Sequence, residues 1–184
     1  MAFDSTQYGP DVARILAFGK NGHRLMPLRS GKCTSDEARQ LMATFKPGDL
    51  FPNQEEPEAA MAGLYLYFSC FEEAYKLVQY CETEEGDLWH AILHRREPDS
   101  GNSAYWFRKA GNHPAYRQIA QAAVKILRRF PTAEFRTGRW DPFAFCAFCD
   151  RARQQPGSAQ MYAAAEIQLA EWQIIFDYCA RLSE

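Results

Sequence analysis

Long apolar runs are missing from this 184-residue chain: no stretch comes near the about 20 successive apolar residues that a bilayer-spanning helix requires. No membrane partner is therefore expected. A large charge of one sign is missing as well. Formal net charge is -2, which removes any global pull toward nucleic acid or an anionic membrane surface. The opening residues, Met1 to Thr6, carry neither the basic cluster nor the apolar stretch of a secretory signal. Strand-like alternation, internal repeats and low-complexity tracts are wanting too. Gly19-Lys20-Asn21-Gly22 and Arg29-Ser30-Gly31-Lys32 read as turns, and neither has the phosphate-loop spacing GxxxxGKS/T.

What is present is a core. The hydrophobic fraction is 47% and the aromatic fraction 14%, enough for one domain spanning residues 1–184 without covalent staples. Six cysteines, Cys33, Cys70, Cys81, Cys146, Cys149 and Cys179, include several set among apolar neighbours. They read as reduced thiols that pack as small hydrophobes, and a cytoplasmic location is the matching expectation. Charge is unevenly spread. Residues 49–87 hold ten acids and one base, whereas residues 88–139 hold ten bases and three acids. Two solvated faces that attract each other would account for this, as would a basic wall around an anionic ligand.

Helical spacing and its punctuation predict an all-α, compact bundle of about six helices with an irregular N-terminal segment over 1–33. That lead has room for a short helix at Asp11 to Phe18. Thr34 and Glu37 form a capping box for a helix that Pro47-Gly48 stops. Pro57 opens a long central helix carrying Leu64, Phe68, Phe71, Tyr75 and Val78 as its core stripe. Asp87 caps a helix from Leu88 to about Glu97, closed by Pro98. A loop over Asp99 to Ser103 and one or two turns up to Ala110 follow. His113-Pro114 opens a helix to about Phe130, Asp141-Pro142 another to about Gln154, and Ser158 caps the last one.

Three of the four histidines and two of the four tryptophans fall within residues 86–114. At about 100° per residue, Trp89, Ile92 and Leu93 face the core, while His90, His94 and Glu97 line its edge. Four readings of that stripe stay open. His90 and His94, four apart on a helix, are candidate ligands of a divalent metal, with Glu97 or His113 completing the set. Ala91 stands where an HExxH motif has its glutamate. His90, His94 and Glu97 are also the candidate catalytic groups for metal-free acid–base chemistry. A ligand pocket is the third reading. Arg95, Arg96 and Arg108 offer forked donors for an anion, Tyr105 and Trp106 offer ring faces, and Asp99, Asn102 and His113 offer directional polar groups. In the fourth, the same residues cap helices and satisfy buried backbone. Glu72 reads as a surface acid in an acidic segment that could meet the stripe as a counter-ion.

Other motifs carry less. Cys146 and Cys149 form a lone CxxC inside an amphipathic helix, with no second pair to complete a zinc site. Lys125, Arg128, Arg129, Arg136 and Arg139 belong to no recognised nucleic-acid module.

The run Asp87-Leu88-Trp89-His90-Ala91-Ile92-Leu93-His94-Arg95-Arg96-Glu97-Pro98-Asp99, followed by Asn102, Tyr105-Trp106-Phe107-Arg108, Gly111 and His113-Pro114, resembles the signature of an uncharacterised family of bacterial and fungal helical proteins. The likeness covers about thirty residues, with a fainter extension over Phe68 to Tyr80. It implies a shared helical fold and brings no activity with it. The functional expectation is therefore built from the residues. It is a small anionic or sugar-like molecule bound in a His/Glu/Arg/aromatic pocket, with acid–base chemistry as an addition. The alternatives are a divalent-metal site or metal-dependent hydrolase at His90 and His94, and a structural or protein-interaction module with no active site. The exposed helix faces single out no oligomeric interface.

Overall fold

The computed structural model describes residues 3–136 and 138–181. Among them it has ten α-helices and no strand. They are α1 (Pro10–Ala17), α2 (Asp36–Met42), α3 (Pro47–Leu50), α4 (Pro57–Tyr67), α5 (Phe71–Val78), α6 (Glu84–Arg96), α7 (Ser100–Ala110), α8 (Ala115–Leu127), α9 (Pro142–Arg153) and α10 (Ala159–Ala180). Short 3-10 turns at Ser5–Tyr8 and Lys20–Gly22 flank α1. The class is the expected one, but the helices number about ten rather than six.

The helix around which the others pack is α4. Nine successive residues, Ala59 to Tyr67, are buried, as a helix enclosed on all sides requires. The long α10 crosses it closely. Gly63 makes that approach feasible, because a Cβ there would meet Trp89 at 2.9 Å and Phe176 at 3.3 Å. Its carbonyl accepts the indole N–H of Trp172 at 2.8 Å.

The extra helices have local causes. The long central helix predicted to open at Pro57 and carry the Leu64-to-Val78 stripe breaks into α4 and α5 at Ser69, whose φ is +60°, a conformation that non-glycine residues seldom adopt. Carbonyls that would have continued the helix are taken by distant groups. Leu66 O accepts from Arg96, and Phe68 O accepts from both the backbone N–H and the hydroxyl of Thr34. Thr34 is thus spent here, and Ser35 caps α2 instead by accepting from Ala38 N–H at 3.1 Å. Pro47 opens the one-turn α3 rather than only ending a helix. Thr83 caps α6 four residues earlier than expected, leaving Asp87 inside the helix. The expected Asp99-to-Ser103 loop is the first turn of α7, with Asp99 as its cap.

Cys33 and Cys70 form a disulfide that ties the 31–34 segment to this corner. The reading of all six cysteines as reduced thiols is corrected for this pair, and with it goes part of the basis for a cytoplasmic location. No helix among the described residues is long and apolar enough to cross a membrane.

The irregular stretch between α1 and α2 is held by side chains from four helices. Tyr67 of α4 donates to Gly19 O and accepts from Arg24 N–H. Arg96 of α6 reaches Pro27 O, Arg153 of α9 reaches Leu28 O, and Gln168 of α10 reaches Met26 O and Pro27 O. A buried segment without its own ladder needs such partners for its carbonyls.

Candidate functional site

Helices α6 and α7 form a closely packed antiparallel pair, bringing the residues singled out in the sequence onto three different surfaces. The first is a stack of rings. His90, 2% exposed, lies between Trp106 and His94. Its centroid distances are 3.8 Å and 5.0 Å, with interplanar angles of 14° and 17°. Tyr75 of α5 meets His90 edge-on at 5.4 Å. Exposed Tyr105 meets Trp106 edge-on, and Lys109 Nζ sits 4.8 Å above the Trp106 ring while pairing with Asp87 at 2.8 Å.

Neither ring nitrogen of His90 has a hydrogen-bond partner among the described residues. Burial, with the positive charge of His94 and Lys109 nearby, pushes its pKa down to about 4, so the ring is neutral at physiological pH. His94 Nδ1 lies 3.2 Å from Glu97 Oε2, near enough for an ion pair when the ring is protonated but not aligned as a hydrogen bond. Nitrogen lone pairs lie in the ring planes, so two near-parallel stacked rings do not point them at one ion. No group of three His, Cys, Asp or Glu side chains converges on a common point among the described residues. The stripe is thus a poor fit to the metal reading. Glu72 is exposed on α5.

The second surface is interior. Arg95 forms a two-pronged ion pair with Glu171 of α10, at 3.0 and 2.5 Å, beneath the Phe145 ring. Burial alone would lower the pKa of this guanidinium; the Glu171 carboxylate outweighs it and raises the pKa. Among the described residues Arg96 has no carboxylate partner. Its Nε donates to Pro27 O at 3.0 Å, one Nη to Leu66 O at 2.7 Å and the other to Ser69 Oγ at 2.8 Å. Burial, with Arg95 and Arg24 nearby, pushes its pKa down to about 9. Both arginines are enclosed by protein, and neither meets the groove described below. In the CxxC pair, burial pushes the Cys149 thiol up to about 12 and raises that of Cys146 as well, the reverse of a reactive thiolate.

The third surface is where α7 hands over to α8. His113 is buried. Its Nδ1 accepts from Ala115 N–H at 3.1 Å, so Nε2 carries the proton and donates to Glu85 Oε1 at 3.0 Å. That bond holds the Glu85 carboxyl below its usual range. With both nitrogens occupied, His113 acts as a capping and tethering group. Asp99 and Asn102 likewise face each other, with Asn102 Nδ2 donating to Asp99 Oδ2 at 2.7 Å.

Beside His113 a groove opens between this corner and the connection from α8 to α9. It has two lobes of about 440 and 490 Å³ that share Asn112, Tyr116, Arg139 and Trp140. Arg117 lies in the wall of the first lobe. Phe143 and Asp141 line the second, where Arg108 stands 5.8 Å over the Phe143 ring. Of the residues proposed from sequence, His113 lines the groove and Arg108 borders it; Tyr105, Trp106, Asp99 and Asn102 lie elsewhere on the α6–α7 pair. Sequence reasoning missed Arg117, Arg139, Trp140 and Phe143. The Trp140-Asp141-Pro142 helix start, an indole next to a cap, was the available signal.

Compared with protein-family models, with curated proteins and with solved structures, the chain finds no match.

Proposed function

We propose that the protein binds an anionic small molecule in the groove between the α7–α8 corner and the α8–α9 connection. One observation carries this reading: a concave surface of several hundred Å³ in which arginines and aromatic rings stand together, the mixture that fixes small charged ligands. Among the described residues Arg117 makes no ion pair, so its guanidinium is available to a carboxylate or phosphate. The stripe at His90, His94 and Glu97 plays no catalytic part in this reading. The nitrogens of His90 are buried away from any reactant, and a proton donor needs contact with the group it serves.

The test is a thermal-shift screen of phosphates, carboxylates and neutral sugars, repeated on Gly138→Phe. Gly138 lines the first lobe and a Cβ there has nothing within 4 Å, so a large side chain can be placed at its wall without a backbone clash at the Cβ. Stabilisation by anions that disappears in Gly138→Phe is expected, because a ligand bound only by the folded state raises the melting temperature. Anion-induced stabilisation that survives in this variant would sink the assignment.

A further inference from the structure

We propose that the groove takes one ligand of two parts, a planar ring seated in the Phe143 lobe and a carboxylate or phosphate seated in the Arg117 lobe. This rests on the binding reading above and makes it specific, because the two lobes differ in chemistry. Arg117 belongs to the first lobe alone. Phe143, 42% exposed, belongs to the second alone, as does Asp141. The Asp141 carboxylate accepts from the backbone N–H groups of Phe143 and Ala144 at 2.9 and 3.0 Å. An anion brought into that lobe would meet the Asp141 carboxylate beside the shared Arg139 and the bordering Arg108, whereas in the first it meets Arg117 and Arg139 with no carboxylate among the lining residues. The charges therefore set an orientation.

The ring has a seat. Phe143 offers an exposed face, with Arg108 on its border and Phe107 edge-on at 6.3 Å. Arene faces and guanidinium planes both favour a flat partner. The shared residues Tyr116 and Trp140, each less than a tenth exposed, form a floor running from one lobe to the other. A single molecule can therefore span both lobes, and joining two weak fragments makes the second contact intramolecular.

Calorimetric titration of the full chain with inorganic phosphate, 1-naphthol, 1-naphthyl phosphate and 1-naphthoate tests this. The joined compounds are expected to bind at least about 100-fold more tightly than phosphate or naphthol alone, and the phosphate–carboxylate pair shows which anion is preferred. Arg117→Ala should weaken phosphate and both joined compounds but leave naphthol unchanged. Phe143→Ala, at an exposed position, should weaken naphthol and both joined compounds but leave phosphate unchanged. Circular dichroism of each variant reports whether it has folded, and Arg117→Lys and Phe143→Leu replace any that has not. Joined compounds that bind no better than phosphate, with phosphate still lost in Arg117→Ala, would overturn the two-part ligand and leave the anion site standing. Failure of all four probes to bind would overturn both.

Discussion

Arg95 and Glu171 meet fork to fork in the interior, each side chain 1% exposed, joining α6 to α10 across 76 residues of sequence. An arginine that looks like an anion-binding group in the sequence is committed to a partner inside the protein. Removing one member strands a buried charge. Glu171→Leu is therefore expected to cost about 3–5 kcal/mol, whereas Arg95→Met combined with Glu171→Leu recovers most of that loss. Urea unfolding of the single and double variants decides this, and equal losses in the two would contradict it.

His90 gives a pH signature. Its folded pKa of about 4 lies below the ordinary 6.5, so the unfolded chain binds the extra proton between those values. Its contribution is complete above pH 6.5 and is lost as pH falls toward 4, by about 3 kcal/mol at the limit. His90→Phe keeps a stacking ring and removes two unpartnered nitrogens. Its stability should fall less steeply than that of the parent between pH 6.5 and 4, as read by chemical denaturation at a series of pH values.

Arg96→Lys is predicted to loosen a region far from α6 in sequence, the segment around Pro27 and Ser30. An ammonium cannot reproduce the planar fork that reaches Pro27 O, Leu66 O and Ser69 Oγ. A cost of about 3 kcal/mol is expected, with faster amide exchange at Ser30, whose N–H donates to Arg96 O at 2.6 Å. Unchanged protection of that amide would remove the proposed role.

Asp99 is expected to behave as a helix cap. Asp99→Ala should cost about 1 kcal/mol, and Asp99→Ser should restore most of it. Calorimetric melting of the two variants makes the comparison. An Asp99→Ser variant as unstable as Asp99→Ala would point to a role beyond capping.

The helices with strong punctuation were legible in the sequence. Asp141-Pro142 and Ser158 start α9 and α10 as expected, and α1 lies within one residue of the Asp11-to-Phe18 segment. The break at Ser69 was hidden because periodicity reports which face is apolar, while the break depends on Arg96 and Thr34 arriving from elsewhere in the chain. The same limit applied to the site. Spacing placed His90, His94 and Glu97 along one edge of a helix; His90 and His94 do stack one turn apart, but Glu97 is the residue after α6, and spacing could not show that Trp106 covers His90 or that Glu171 neutralises Arg95. The groove joins Asn112, Arg117 and Phe143 through a turn and a connection between helices, and local pattern carries no information about such a meeting.

The three bonds of Arg96 span 69, 30 and 27 residues, which has a consequence for the order of folding. Taking the guanidinium out of water is offset only as protein acceptors replace that water, and all three acceptors come from distant parts of the chain. The segment around Pro27 and the Ser69 corner are therefore expected to settle together with docking of α6. Substitutions at Arg96 should accelerate unfolding far more than they slow folding.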